Sequence, residues 1–454
     1  RGGSGKTILS IGVVAALRAR GNSVAPSKKG PDYIDAGWLA LAAGRPCYNL
    51  DTFLVVPERI QRSFFFHSAG LDLALVEGNR GLFDSIDTEG CTSTAELAKL
   101  LGLPVIVCLD CTKTTRTMAA VMAGCKAFDP AVHLAGVVLN HVAGARHESI
   151  LRRSIEQYCG VRVLGAIPKL RQDDFPERHM GLVPTAEHPW ACQAVASAGD
   201  LIARCLDLDA VGEAARTLAA PPFPISPYQD TNRRPSETVP VIGVVRDSAF
   251  QFYYPENITA LEAAGARIVE TSPLKDPGLP AIDGLYIGGG FPETHAAALG
   301  ANAAYRSQVK AMAEAGLPIY AECGGLMYLG RSLNLDGCLH PMADVFPLVF
   351  DLCRKPQGHG YTVAEVVAAN PFYRIGQTIK GHEFHYSKAR ILDGGAVDFA
   401  LAVSRGAGIA GGRDGICRHN VLATYIHIHA LGVAGWAERL VANARDFRQA
   451  RIGK

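Results

Sequence analysis

The sequence lacks any apolar run long enough to cross a bilayer. Its longest runs, such as Leu103 to Leu109, fall far short of the roughly 20 residues a spanning helix needs. It also lacks an excess of charge of either sign. Forty-five Lys and Arg face 43 Asp and Glu, a formal net charge of +2, which removes the bulk electrostatic case for a nucleic-acid or membrane partner. Its 12 cysteines show no regular spacing, so no disulfide framework is legible. The one Cys-x-x-Cys, Cys108 to Cys111, closes an apolar run and reads as a strand end with two reduced thiols; a redox pair or half a zinc site is the alternative. There is no internal repeat and no low-complexity tract. Nor is there an initiating Met: Arg1 falls inside a glycine-rich motif, and the expectation is that a hydrophobic strand and the front of that loop precede it natively.

What is present is alternation. With 454 residues the chain is too long for one ordinary core, so two domains are expected. From Lys6 to about Cys205, short apolar runs at Leu71–Val76, Val105–Leu109, Leu134–Leu139 and Val163–Ile167 read as buried strands. Helical patterns lie between them, including Ser93–Leu101, which opens with a capping box of Ser93 and Glu96. Such alternation predicts a parallel sheet covered by helices. Residues 208–239 lose the apolar period and gain prolines, and are read as a linker between a first domain over 1–207 and a second over 240–454. Alternation restarts at Val239–Val245 and continues at Gly284–Gly288 and Leu317–Ala321.

Two constellations carry chemistry. Gly2-Gly3-Ser4-Gly5-Lys6-Thr7, ahead of an apolar helical run, is the back half of a phosphate loop. Backbone N–H groups of Gly3, Ser4 and Gly5 would approach phosphates at a helix N-terminus, Lys6 would reach the β- and γ-phosphates, and the Thr7 hydroxyl would ligate Mg²⁺. Asp32 and Asp35, in Gly30-Pro-Asp-Tyr-Ile-Asp, and Glu77 and Asp84, in Glu77-Gly-Asn-Arg-Gly-Leu-Phe-Asp, follow strand ends. In a doubly wound sheet those ends gather where ligands bind, and the carboxylates suit Mg²⁺, with Thr7, Glu77 and Asp32 as its expected ligands.

The second constellation is Pro318-Ile-Tyr-Ala-Glu-Cys323-Gly-Gly, a strand, a tight turn and a helix. Such an elbow exposes a nucleophile and, beside a helix N-terminus, lowers a thiol pKa. His427 is the expected base, with His429 a strand period away on the same face, and Gly289 and Gly290 join Gly324 as oxyanion donors. His382-Glu-Phe-His385 and His427-x-His429 also admit a metal reading, although the first lacks the His-Glu-x-x-His spacing.

In order along the chain, Gly-Pro-Asp-Tyr-Ile-Asp, Glu-Gly-x-x-Gly-Leu-Phe-Asp, Ser-Thr-Ala-Glu-Leu-Ala-Lys-Leu-Leu, Pro-Glu-Arg-His-Met-Gly-Leu (176–182), Phe-x-Phe-Tyr-Tyr-Pro-Glu-Asn (250–257), Gly-Gly-Gly-Phe-Pro-Glu, Ala-Glu-Cys-Gly-Gly-Leu-Met-Tyr-Leu and Gly-His-Glu-Phe-His-Tyr-Ser (381–387) occur. This series resembles the cobyrinic acid a,c-diamide synthase family over nearly the whole chain. The resemblance implies an α/β fold of two domains: a dethiobiotin-synthetase-like P-loop domain with a parallel sheet, and a class I glutamine amidotransferase domain. It implies that Cys323, activated by His427, releases ammonia from L-glutamine through a glutamyl thioester, and that ATP with Mg²⁺ converts carboxylates of a tetrapyrrole polycarboxylate to acyl phosphates that ammonia displaces. Lys6, Thr7, Asp32, Asp35, Glu77 and Asp84 fall at the synthetase site, and Asn140 is similar to the adenine-contacting Asn of that domain type. A cytoplasmic location is expected, and a homodimer is compatible with the sequence.

Some positions depart from the pattern. Class I amidotransferases often carry Glu two residues after the base, where this chain has His429. Lys28-Lys29, Asp35-Ala-Gly-Trp38, Gly78-Asn79-Arg80 and Gln357-Gly-His359-Gly are less familiar, and resemble relatives that amidate sirohaem or nickel-sirohydrochlorin. From Arg80 as a carboxylate partner and Trp38 as a stacking surface, a sirohydrochlorin-derived macrocycle is expected to be preferred over cobyrinic acid. Three other readings are a partitioning-type ATPase, a stand-alone dethiobiotin-type synthetase ending near residue 210, and a regulator with an inactive amidotransferase domain. The first two leave Cys323 and His427 unexplained, and the third would lack one of them.

Overall fold

The apolar run after the phosphate loop becomes helix α1 (Lys6–Ala19), which buries Leu9, Ile11, Val13, Val14 and Leu17. These details come from a computed structural model that describes residues 4–169, 177–178, 181–215, 225–228, 239–392 and 397–452. Gly3, most of the 176–182 motif and most of the proline-rich stretch lie outside the described residues. The chain divides into two compact units, Arg1–Pro227 and Tyr228–Lys454.

In the first unit, β1 (Val24–Lys29) lies between β2 (Tyr48–Leu50) and β3 (Leu73–Glu77), all parallel. A second parallel set runs β4 (Val105–Asp110), β5 (Leu134–Val142), β6 (Val163–Pro168). The connections carry α2 (Ile34–Ala43), α3 (Pro57–Ser68), α4 (Thr94–Leu101), α5 (Thr117–Phe128) and α6 (Ala145–Cys159), the crossover arrangement that parallel strands require. Helix α7 (Ala191–Cys205) packs on α1.

Three local expectations change on contact with the structure. At α4 only half of the capping box forms. Ser93 Oγ accepts from the Glu96 N–H at 3.2 Å, but the Glu96 carboxylate turns to Lys99 at 2.6 Å, and the Ser93 N–H is satisfied by the Gly90 carbonyl instead. The segment read as the start of a linker is helix α8 (Leu208–Ala214), capped by Asp207 accepting from the Ala210 N–H, with Leu208 and Ala210 buried. Trp38, expected to face a macrocycle, is only 1% exposed and donates its Nε1–H to the Val183 carbonyl at 2.9 Å. It belongs to the core, as a side chain whose truncation to alanine costs about 3–5 kcal/mol.

The second unit is built on a ten-stranded sheet. Its parallel half runs, in spatial order, Arg267–Thr271, Val241–Val245, Gly284–Ile287, Ile319–Glu322 and Val421–Thr424. Antiparallel strands Arg413–Arg418, Asp398–Arg405, Gly358–Val366, Thr378–His385 and His427–Ile428 complete it. A cluster including Val245, Leu285, Ile287, Ile319, Leu326 and Tyr328 fills one side, and Ile242, Tyr286, Tyr320, Leu422 and Trp436 fill another. The C-terminal ends of the parallel strands thus carry Ile287, Glu322 and Thr424 to one edge. No helix among the described residues is long and apolar enough to cross a membrane.

Candidate active sites

The phosphate loop is held from below. Gly5 adopts φ 79°, a left-handed conformation, and a Cβ there would lie 2.2 Å from Asn140 Nδ2, so only glycine fits without displacing Asn140. Asn140, at the end of β5, donates through Nδ2 to the Ser4 carbonyl at 2.7 Å, and the Cys108 thiol lies 3.4 Å from the same oxygen. Asn140 thus braces the loop, beside the adenine contact expected of it. Cys108 and Cys111 are free thiols, pushed up by burial to about 12 and about 11, which fits strand-end packing and not redox exchange.

Beside the loop, the acids gather around a lysine that the sequence reading passed over as unfamiliar. Lys28 on β1 sits in register with Glu77 on β3. Its Nζ lies 2.6 Å from Glu77 Oε1, 2.8 Å from Asp35 Oδ2 and 3.6 Å from Asp32 Oδ2. Thr7 Oγ1 is within hydrogen-bond distance of Glu77 Oε1 (3.0 Å) and Asp35 Oδ2 (3.2 Å). Burial alone would lower the Lys28 ammonium, but Glu77, Asp32 and Asp35 outweigh it and hold the ammonium well above its usual value. The two aspartates separate: burial would raise both, yet Lys28 holds Asp35 down, whereas Asp32 is pushed up to about 7. A lysine at a strand end ahead of Gly30-Pro31-Asp32 is the signal that could have found this cation.

The expected metal trio is only partly assembled. Asp35, not Asp32, shares the Thr7 hydroxyl with Glu77; Asp32 accepts the Asp35 N–H at 2.9 Å at the start of α2. Among the described residues no group of three His, Cys, Asp or Glu is arranged to hold a metal ion. Asp84 is exposed and accepts the Gly81 N–H at 2.8 Å, so it is not brought into the cluster. Lys6 stands near the Lys28, Glu77 and Asp35 cluster, lowered by burial and by Lys28.

In the second unit, Cys323 ends strand Ile319–Glu322 with φ 47° and ψ −99°, and helix Gly324–Leu329 follows. The turn is fixed by the Cys323 N–H on the Thr424 carbonyl (2.7 Å) and the Gly325 N–H on the Gly288 carbonyl (3.1 Å). The glycine loop touches both partners of the expected chemistry. A Cβ on Gly289 would lie 2.4 Å from His427 Cε1, and Gly290 backs directly onto Gly324. His427 is buried with Nδ1 3.5 Å from Glu322 Oε2. The expected thiol activation is reversed in this state. Burial pushes Cys323 well above the thiol range, Glu293 adds to it, and the Gly324 N–H only partly opposes.

Among the described residues the remaining histidines form no metal centre. His382 stacks on His427 at 4.9 Å, with Nδ1 3.2 Å from the Tyr254 hydroxyl, and burial first, then the neighbouring histidines, keep it well below its usual pKa. His385 lies between the Ser387 carbonyl and Glu383, whose carboxylate accepts from the Ala407 and Gly408 N–H groups. His429 follows the end of its strand, and its Nε2 is 3.5 Å from Glu256. Gln357 and His359 are exposed in this unit, with the His359 ring on Phe384, whose carbonyl is 3.9 Å from Cys323 Sγ.

Two family models match the chain. A CobQ/CobB/MinD/ParA nucleotide binding domain covers residues 1–183, and a CobB/CobQ-like glutamine amidotransferase domain covers 241–434. A cobyrinate a,c-diamide synthase of Magnetococcus marinus is 44% identical over 99% of this chain and 96% of its own. That of Archaeoglobus fulgidus is 40% identical over 97% of this chain and 95% of its own. Among solved structures, PurLQS from Thermotoga maritima aligns with 46% of this chain and 100% of its own, at 15% identity and TM-score 0.36.

Proposed function

The chain belongs to the cobyrinate a,c-diamide synthase family, and we propose that its two units divide that family's reaction between the residue sets described above. The reaction is the ATP- and glutamine-dependent amidation of the a and c carboxylates of cobyrinic acid by a glutamine-hydrolysing ligase. The observation that carries it is identity of 44% over 99% of the chain to a protein of that activity, spanning both units.

In the second unit, Cys323 attacks the side-chain amide of glutamine. Its proton passes to His427 and then to the departing nitrogen; ammonia leaves, and water hydrolyses the glutamyl thioester. Gly289, Gly290 and Gly324 offer N–H groups to the tetrahedral oxyanion. In the first unit, Gly5 and Lys6 receive the phosphates of ATP at the N-terminus of α1. A substrate carboxylate takes the γ-phosphoryl group, and ammonia displaces phosphate to leave the carboxamide. Thr7, Asp35 and Glu77 are oxygen donors, and Glu77 Oε2 is buried without a hydrogen-bond partner. That set, with Asp32 beside it, suits Mg²⁺, which when bound would balance phosphate charge. Asp84 lies exposed beyond β3, outside this cluster. The first domain takes in 1–207 together with α8, the second domain is 240–454, and a homodimer is part of the proposal.

Glu77→Gln removes the charge that faces both Thr7 and Lys28. It is expected to lower kcat for amidation by at least about 10²-fold, while glutaminase activity survives in part. Coupled phosphate-release and glutamate-release assays separate the two, and a wild-type amidation rate would return Glu77 to a structural role.

The acceptor follows the family. Of the residues on which a sirohydrochlorin-derived substrate was expected, Trp38 is core, whereas Arg80, Gln357 and His359 are exposed and Asn79 is half-buried. Cobyrinic acid is expected to be amidated at higher kcat/KM than sirohydrochlorin or sirohaem, with mass spectrometry counting the amides formed. The reverse order would restore the other macrocycle.

A further inference from the structure

The base of the glutaminase site lacks the carboxylate that class I amidotransferases often carry two residues further on, because His429 stands there and pairs with Glu256. A base without an orienting partner can turn, and its tautomer is unset. The structure supplies a carboxylate from the other side of the reaction. Glu322, the residue before the nucleophile, is fully buried and directs Oε2 to His427 Nδ1 at 3.5 Å. The same carboxylate is fixed at both oxygens: Oε2 accepts from the Tyr286 hydroxyl at 3.2 Å, and Oε1 accepts from the Ile428 N–H at 3.2 Å. Ile428 directly follows His427, so Glu322 holds the backbone of the base as well as its ring.

We infer that Glu322 is the positioning residue for His427, completing a Cys323–His427–Glu322 triad in which the acid comes from the nucleophile strand. Accepting the Nδ1–H, Glu322 leaves Nε2 as the basic nitrogen. Nε2 takes the thiol proton as the C–S bond forms, then gives it to the amide nitrogen as the C–N bond breaks. Through both transfers Glu322 keeps its charge and stabilises the imidazolium that exists between them. The 3.5 Å separation is an ion-pair distance, and catalytic contacts commonly tighten when substrate binds.

Other charged groups around the base are committed elsewhere. Glu256 faces His429, Glu383 is held by His385 and the Ala407 and Gly408 N–H groups, Glu293 acts on Cys323, and His382 stacks on the ring as a neutral imidazole. Glu322 is therefore the one nearby carboxylate, among the described residues, aimed at Nδ1.

This inference rests on the assignment of Cys323 and His427 to glutamine hydrolysis, and the experiment separates the two. Glu322→Gln keeps the shape but presents an amide N–H₂ or a neutral oxygen to Nδ1. Its glutaminase kcat/KM is expected to fall at least about 10²-fold. The loss should fall on kcat with KM nearly unchanged, because the acid orients the base and does not hold glutamine. Amidation from ammonium should continue. Glu322→Asp, which keeps the charge, should retain a higher glutaminase kcat than the Gln variant; it also carries the test if the Gln variant does not fold. A loss confined to KM, an Asp variant no better than Gln, or equal loss with both nitrogen donors would overturn the role. If Cys323→Ser in the same series keeps its glutaminase activity, the underlying site assignment fails instead.

Discussion

Cys323→Ser is expected to lose glutamine-dependent amidation by at least about 10³-fold, the scale on which removing a covalent nucleophile acts. Amidation from ammonium salts should proceed. The expectation follows from the division of labour: Cys323 lies in the second unit, and the Lys28, Asp35, Glu77 and Thr7 cluster lies in the first. Serine fits the strained elbow but is a far weaker nucleophile at neutral pH. Steady-state assays with each nitrogen donor decide the matter. Equal loss with both would mean that Cys323 supports the synthetase site and does not generate ammonia.

Lys28→Met should act on the other unit and on both donors. Lys28 and Glu77 are each only 2% exposed at their side chains, so removing the cation strands a buried carboxylate. Breaking a buried pair from one side costs about 3–5 kcal/mol. Asp35 and Asp32 are 21% and 28% exposed and can take up water or a proton, which places the effect near about 3 kcal/mol. Calorimetry should show the transition of the first unit shifted downward, with amidation lost from glutamine and from ammonium alike while glutaminase persists. Wild-type amidation by the variant would remove Lys28 from the synthetase machinery.

How much of this was legible in the sequence depends on the kind of signal. Apolar runs marked β4, β5 and β6 to within a few residues; β5 and β6 are mostly buried, so no polar interruption hides them, and β4, though only partly buried, carries an unbroken apolar run. The Ser93 cap was legible because a side-chain oxygen three residues ahead of its N–H partner is a local fact. Helix α8 was missed because proline-rich sequence downstream coloured the reading of Asp207-Leu-Asp-Ala. Lys28 was missed because its meaning lies in register: only the pairing of β1 with β3 reveals that it faces Glu77. Trp38 was misread for the opposite reason, since an indole at a motif's edge looks like a ligand surface until its Nε1 is seen to bond Val183. Glu322 stood in plain view beside Cys323, but its direction toward His427 depends on two strands distant in sequence. Cys323 stands on the expected elbow, yet its thiol is raised, because the side chain is buried and Glu293 stands near it.

The backbone at Cys323 has a consequence beyond catalysis. With φ 47° and ψ −99°, a side-chain-bearing residue occupies a conformation that costs on the order of 1–3 kcal/mol, and glycine would not pay most of it. Stability and activity therefore pull in opposite directions at this one position. A lineage released from the need to hydrolyse glutamine, but still selected to fold, would gain by exchanging the thiol for glycine. The cysteine is the residue such a lineage would be expected to lose early, while the sheet around it stayed intact.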